Sequence, residues 1–155
     1  MMLKKKITIF LFLFLSSCGY KAMHSIDNTV DYNFSISKLT FVGTRDVNIK
    51  IKTKLNNYTL IKSDKSFILE ISSSDEKITI AKDAAGDATS FKSIIKINAK
   101  VTLDNNLVRN LKIDEEFIYA NNKNQLDLKK YEREIKINLT EIAADKLIYK
   151  LSNIQ

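Results

Sequence analysis

From Ile95 to Leu103 the chain alternates strictly, and this run constrains the fold more than any other. Ile95, Ile97, Ala99, Val101 and Leu103 occupy every second position, with Lys96, Asn98, Lys100, Thr102 and Asp104 between them. Successive strand residues point to opposite faces, so the run has one apolar face and one wet face. A strand wet on one side belongs to an antiparallel sheet, and its apolar side needs a covering layer from elsewhere in the chain. Asp104-Asn105-Asn106 supplies turn chemistry, because asparagine tolerates positive φ. The return segment then sets Leu107, Leu111, Ile113, Phe117 and Tyr119 on one face and Asn110, Lys112, Asp114 and Glu116 on the other. Asn121 to Asn124 ends it.

The remaining elements follow from the same two periodicities. Phe67, Leu69 and Ile71 alternate within Ser66 to Ser72; Ile78 and Ile80 fall on the opposite parity, which predicts a bend or bulge before the strand continues to Ala81. Lys82 to Thr89, with Asp83, Gly86 and Asp87, reads as a loop. Phe34 and Ile36 share one parity and Leu39 and Phe41 the other, so Tyr32 to Val42 is expected to be a strand whose register shifts through a bulge. Gly43-Thr44 breaks it. Val47, Ile51, Leu55 and Tyr58 recur at helical spacing and predict a helix from Arg45 to about Asn57, although Ile49 leaves a period-two reading open. Asp127 to Ser152 reads as a long helix, with Leu139, Ala143, Leu147 and Leu151 in one row and Ile135, Ile142 and Tyr149 widening it. The expected fold is α+β: two helices on one face of a mainly four-stranded sheet, in the order strand-helix-strand-strand-strand-helix. At 155 residues the chain suits a single such domain, over residues 32–155.

The N-terminus bears on compartment. Lys4, Lys5 and Lys6 precede the apolar run Ile7 to Leu15, and Ser16-Ser17-Cys18 follows. A positive head, a short apolar run and small residues before a cut form a secretory signal, here residues 1–17. Nine residues rising about 1.5 Å each are too short for an ordinary membrane span. Leu15-Ser16-Ser17-Cys18 resembles the bacterial lipobox, which implies a diacylglycerol thioether on Cys18 and, after cleavage, acylation of its amino group. No other cofactor is expected. Gly19 rather than aspartate after the cysteine implies export to the outer membrane, and residues 18–31 read as a lipid-anchored tether. Lys4, Lys5 and Lys6 account for three of the seven excess positive charges, so the mature chain is only modestly basic.

Composition limits the chemistry. One cysteine and one histidine rule out a disulfide framework and the multi-thiolate or multi-histidine metal sites, so no metal ligands are assigned. His24 falls in the tether and is expected to be solvated. Asp114 and Glu116 share a strand face as a catalytic pair would, but cross-strand pairing with the lysine-rich neighbour accounts for them. No glycine-rich phosphate cradle or nucleophile elbow is present. No catalytic residues are assigned, and an enzyme is not expected. Lys92, Lys96, Lys100 and Lys112 on the wet face, with Lys129, Lys130 and Arg133 near the last helix, suit either solvation or an anionic ligand. Compartment excludes nucleic acid and directs attention to anionic lipid or glycolipid.

Several stretches together resemble the LPS-assembly lipoproteins of Gram-negative bacteria, the LptE family. They are Leu15-Ser16-Ser17-Cys18-Gly19-Tyr20 at the start, Ser66-Phe67-Ile68-Leu69 leading to Ile78-Thr79-Ile80-Ala81-Lys82-Asp83, Phe117-Ile118-Tyr119-Ala120-Asn121-Asn122, and Glu132 to Leu151 with Ala143-Ala144-Asp145-Lys146-Leu147. The resemblance implies an outer-membrane lipoprotein facing the periplasm that plugs a large lipopolysaccharide-translocating β-barrel, supports its assembly and assists lipopolysaccharide insertion. It also implies lipopolysaccharide contact from basic residues at one end of the sheet. Lys129 and Lys130 fit such a position, Lys82 matches the Ala-Lys-Asp turn, and Lys92 extends the set. Ala84 to Thr89 departs from the family pattern, with no arginine and an added acid. The residues alone leave another function open: a periplasm-facing carrier or binding module for an apolar or anionic lipid, which requires a hollow apolar core.

Overall fold

The computed structural model describes residues 34–103 and 107–154. The expected signal, Cys18, the tether with His24, and the Asp104-Asn105-Asn106 turn lie outside the described residues. Six elements follow one another in the expected order: β1 (Ser35–Gly43), α1 (Arg45–Leu60), β2 (Ser66–Lys82), β3 (Ala88–Leu103), β4 (Val108–Ala120) and α2 (Gln125–Ser152). The sheet order is β1-β2-β3-β4, with β1 parallel to β2 and the other neighbours antiparallel. Among the described residues no helix is long and apolar enough to cross a membrane.

The parity change in β1 is a true register shift. Ile36 pairs with Phe67 and Lys38 with Ile68, so Ser37 is the extra residue that brings Leu39 and Phe41 back to the inner face. β1 ends at Gly43, whose φ of +100° carries the chain into α1. A Cβ here would collide with the Ser73 carbonyl oxygen, so both the conformation and the close approach require glycine. α1 buries Val47, Ile51 and Leu55 as its spacing predicts. It runs one turn beyond Asn57, because the Tyr58 ring stacks on Phe34 with centroids 4.6 Å apart. Tertiary packing there overrides the weak helix propensity of Asn56-Asn57.

β2 and β3 differ most from expectation. β2 pairs with β3 without interruption from Phe67↔Leu103 to Thr79↔Phe91, so there is no bulge between Ile71 and Ile78; the irregularity comes later, at Ala81. Ile78 and Ile80 are instead half-exposed on the outer face. The inner positions beyond Ser73 are Asp75, Lys77 and Thr79, which period counting takes for the wet side. The loop expected over Lys82 to Thr89 shrinks to Asp83–Asp87, since β2 reaches Lys82 and β3 begins at Ala88.

The two helices cover one face of the sheet. Phe67, Leu69, Ile71, Ile95, Ile97, Val101, Leu147 and Leu151 are virtually inaccessible and form a continuous core with α1. α2 buries Leu128, Ile135, Leu139, Thr140, Ala143, Ala144, Leu147, Ile148 and Leu151. Ile142 and Tyr149 do not widen that face, contrary to expectation: they are exposed, and the stripe widens through Thr140, Ala144 and Ile148 instead. Small residues at 140, 143 and 144 permit close approach to the neighbouring layer, whereas isoleucine and tyrosine turn to solvent. Phe117 occupies an inner position of β4 yet stays half-exposed, and Leu107 lies outside the strand.

Candidate functional site

Two connections meet at one end of the sheet. In the β2–β3 hairpin the Asp83 carboxylate accepts from the backbone N–H of Ala85 at 3.0 Å and of Asp87 at 2.9 Å. Alongside it, the β4–α2 connection is tied down by Asn121, whose N–H donates to Thr89 O at 2.8 Å and whose side-chain amide donates to Ala88 O at 2.7 Å. Asn124 then caps α2, accepting from the N–H groups of Leu126 and Asp127. Lys82, Lys129 and Lys130 are therefore carried to the same end of the molecule, together with Lys123, which sequence reasoning missed. All four are exposed, and among the described residues none is held in an ion pair.

Lys92 does not join them. It projects from the outer face, where its ammonium lies 3.0 and 3.1 Å from the two oxygens of Glu116. The other wet-face lysines are similarly occupied: Lys96 with Glu76 at 2.8 Å, Lys100 with Glu70 at 3.4 Å and Lys112 with Asp114 at 3.2 Å. The hydrogen bond from Lys96 to Glu76 raises the lysine pKa above its ordinary value. Glu116 is accordingly neutralised by Lys92 of the neighbouring strand, the cross-strand pairing the sequence predicts, whereas Asp114 pairs with Lys112 two residues away on its own strand. Arg133 is set apart, on a groove between the helices.

Beside the lysine-bearing end lies an open hollow of about 770 Å³, bounded by Ile118, Tyr119, Asn122, Lys123, Leu128 and Tyr131. Tyr119 and Tyr131 meet edge to face, centroids 6.0 Å apart. Tyr119 is buried, and its hydroxyl donates to Glu132 Oε1 at 3.0 Å. Burial, reinforced by that carboxylate, pushes the Tyr119 pKa upward, so the phenol stays neutral. Glu132 also receives Lys77 Nζ at 2.5 Å, and the same ammonium stands 3.8 Å from the centroid of Phe91. These contacts clamp the distal part of the β2–β3 hairpin onto α2. Leu128, Tyr131, Glu132 and Ile135 follow helical spacing, so the inward face of α2 is readable about two turns earlier than Ile135. The arrangement offers ammonium groups that make no ion pair among the described residues, beside aromatic and amide surface, which suits an anionic, partly apolar ligand. Among the described residues no group of three or more His, Cys, Asp and Glu side chains is placed to hold a metal ion.

No family model matches the chain, and no curated protein matches it in sequence. Solved structures do. Rare lipoprotein B from Shewanella oneidensis superimposes with a TM-score of 0.60 over 74% of this chain and 93% of that one, at 14% identity. The fold is shared with bacterial lipoproteins. A minor lipoprotein from Acinetobacter baumannii gives a TM-score of 0.56 over 78% and 91% of the two chains at 9% identity. Lipoprotein B from Nitrosomonas europaea also gives 0.56, over 77% and 83%, at 14% identity. At such identities the likeness concerns the path of the backbone, not the functional side chains.

Proposed function

We propose that this chain is an envelope lipoprotein, anchored to the outer membrane through lipid on Cys18, and that it serves as the plug subunit of a lipopolysaccharide-translocating β-barrel. The observation that carries this reading is the conjunction of a lipobox in the sequence with a fold shared by rare lipoprotein B over 93% of that protein's structure. The resemblance of the sequence to the LPS-assembly lipoproteins points the same way.

Physical chemistry supports the role. A domain seated in a hydrated barrel lumen needs a rigid core and a polar wall-facing surface. The outer face of the sheet, uncovered by either helix, carries four lysine–carboxylate pairs that are satisfied without any partner. Lys82, Lys129 and Lys130 remain available for the phosphates of a glycolipid; Lys92 would first have to release Glu116. The partner barrel is tested by mild-detergent purification of the tagged chain from outer membranes: a large β-barrel recovered in equal amount supports the plug role, and a protein recovered alone refutes it. For the glycolipid, Lys129→Asp is expected to weaken lipopolysaccharide binding several-fold with an unchanged melting temperature. Unchanged binding removes Lys129 from the site.

A further inference from the structure

A groove of about 380 Å³ runs between the N-terminal half of α1 and the middle of α2, starting about one helical turn beyond Lys129. Its floor is Val47 and Thr140, both buried. Thr140 turns its hydroxyl back to the Lys136 carbonyl at 2.7 Å, which leaves its methyl as the surface it offers the groove. Ile49 and Ile137 form apolar walls. Ile49 is 52% exposed although it lies within a helix that buries three neighbouring apolar residues.

The rim carries Lys50, Arg133 and Lys136 together with the acid Asp46. Lys136 is committed to Asp75 at 2.7 Å, with Asp46 at 3.8 Å, and Lys50 lies 3.8 Å from Glu141. Arg133 makes no ion pair among the described residues. A guanidinium presents several donors in a planar fork suited to a carboxylate or phosphate. An apolar trough with an unpaired fork at its edge matches one kind of molecule: an anion carried on a single alkyl chain. The volume lies at the low end of the roughly 300–1,000 Å³ typical of small-molecule sites, too little for a glycolipid with several chains.

The geometry points to this groove as a binding site for a single-chain anionic amphiphile, of the fatty-acid or lysophospholipid class, with its chain along Ile49 and Ile137 and its head group on Arg133. This site is independent of the translocon reading and of Lys129. The full chain, reconstituted in lipid nanodiscs, is irradiated with a diazirine-bearing lauric acid, and the adducts are mapped by peptide mass. Adducts concentrated on the peptides of Ile49 and Ile137, suppressed by excess laurate but not by dodecanol, are the expected result. Competition by lauroyl lysophosphatidate as well as laurate assigns the site to single-chain anions in general; competition by laurate alone narrows it to carboxylates. Arg133→Glu should reduce labelling at least fivefold with unchanged melting, while the charge-matched Lys52→Glu, on the same domain but off the groove, should not. Ile49→Lys gives a second loss-of-binding variant. Adducts spread evenly to exposed apolar residues elsewhere, such as Leu60 and Leu126, or full labelling of Arg133→Glu, would overturn the assignment.

Discussion

Glu132 holds the distal hairpin to the helix layer, and its replacement gives a decisive test. β1 pairs with β2 only as far as Gly43↔Ser73, so beyond Ser73 the β2 strand has a single neighbour, β3. Two contacts fix that stretch to α2: Asp75 pairs with Lys136 at 2.7 Å, and Lys77 reaches at 2.5 Å the Glu132 carboxylate, which also receives the Tyr119 hydroxyl of β4 at 3.0 Å. A hydrogen bond to a charged acceptor contributes about 1.5–3 kcal/mol, and a buried hydroxyl deprived of its acceptor costs about 1–3 kcal/mol. These overlap, since they describe the same bond from its two ends. The ion pair is partly exposed, and such pairs add only about 0.2–1 kcal/mol. Glu132→Ala should therefore cost about 2–3 kcal/mol, a large share of a typical domain stability of about 5–15 kcal/mol. Tyr119→Phe removes the donor together with its need for a partner and should cost about 1 kcal/mol. Urea titrations of both single variants and the double variant close a thermodynamic cycle, with an expected coupling of about 1–2 kcal/mol. Hydrogen exchange adds a spatial readout: amides from Asp75 to Ala81 should lose protection before those from Phe67 to Ile71. A Glu132→Ala cost below about 0.5 kcal/mol, or a coupling near zero, would refute the clamp.

Other substitutions probe the packing and the electrostatics. Leu139→Ala, on the buried face of α2, should destabilise by about 2–5 kcal/mol in urea unfolding, and a change within about 0.5 kcal/mol would mean that this face does not pack on the sheet. Gly43→Ala should cost at least about 1–3 kcal/mol, since alanine is strained at φ +100° and its Cβ meets the Ser73 carbonyl; a neutral result in the same assay would remove the requirement for glycine. Burial alone would raise the pKa of Asp75, but hydrogen bonds from Lys136 and Thr44 outweigh it and hold the carboxyl below its ordinary value of 3.8. A lowered folded-state value stabilises the fold above that ordinary value, and the contribution is lost as pH falls through the folded value. Asp75→Asn should therefore flatten the acid limb of stability below pH 3.8, and an acid unfolding curve that keeps its shape would contradict the linkage.

The fold was legible wherever one periodicity had one cause. Alternation from Ile95 to Val101 and the helical row Val47, Ile51, Leu55 both map onto buried residues, with Leu103 partly buried at the end of its strand, because each segment faces a single apolar layer. The bulge in β1 was legible for the same reason: an extra residue shifts every later side chain to the other face, and the parity of Leu39 and Phe41 records that shift. Beyond Ser73 the correspondence fails. The inner face there carries Asp75 and Lys77, neutralised by Lys136 and Glu132 more than fifty residues away. Polarity in a strand ordinarily marks solvent, and no local pattern reveals a partner on a distant helix.

That failure also bears on which lysines can act. Sequence treats Lys92 and Lys129 alike, as exposed cations, yet their electrostatic states differ. Lys92 lies diagonally across the ladder from Glu116, so a ligand must displace an existing carboxylate to reach it. Lys129 lies in the first turns of α2 and makes no ion pair among the described residues, so an incoming phosphate has no paired carboxylate to displace. Lys92, Lys96 and Lys100 are neutralised because a sheet fixes side chains directly and diagonally across from one another, which brings Glu116, Glu76 and Glu70 within their reach. Helix-start lysines beside a loop have no such ladder. The lysines on the outer face of β3 and β4 are therefore engaged, whereas among the described residues Lys82, Lys123, Lys129 and Lys130 at the loop end make no ion pair. Charge reversal at Lys92 should accordingly alter glycolipid binding less than Lys129→Asp, a ranking measurable with both variants in one titration, and the opposite ranking would relocate the ligand to the sheet.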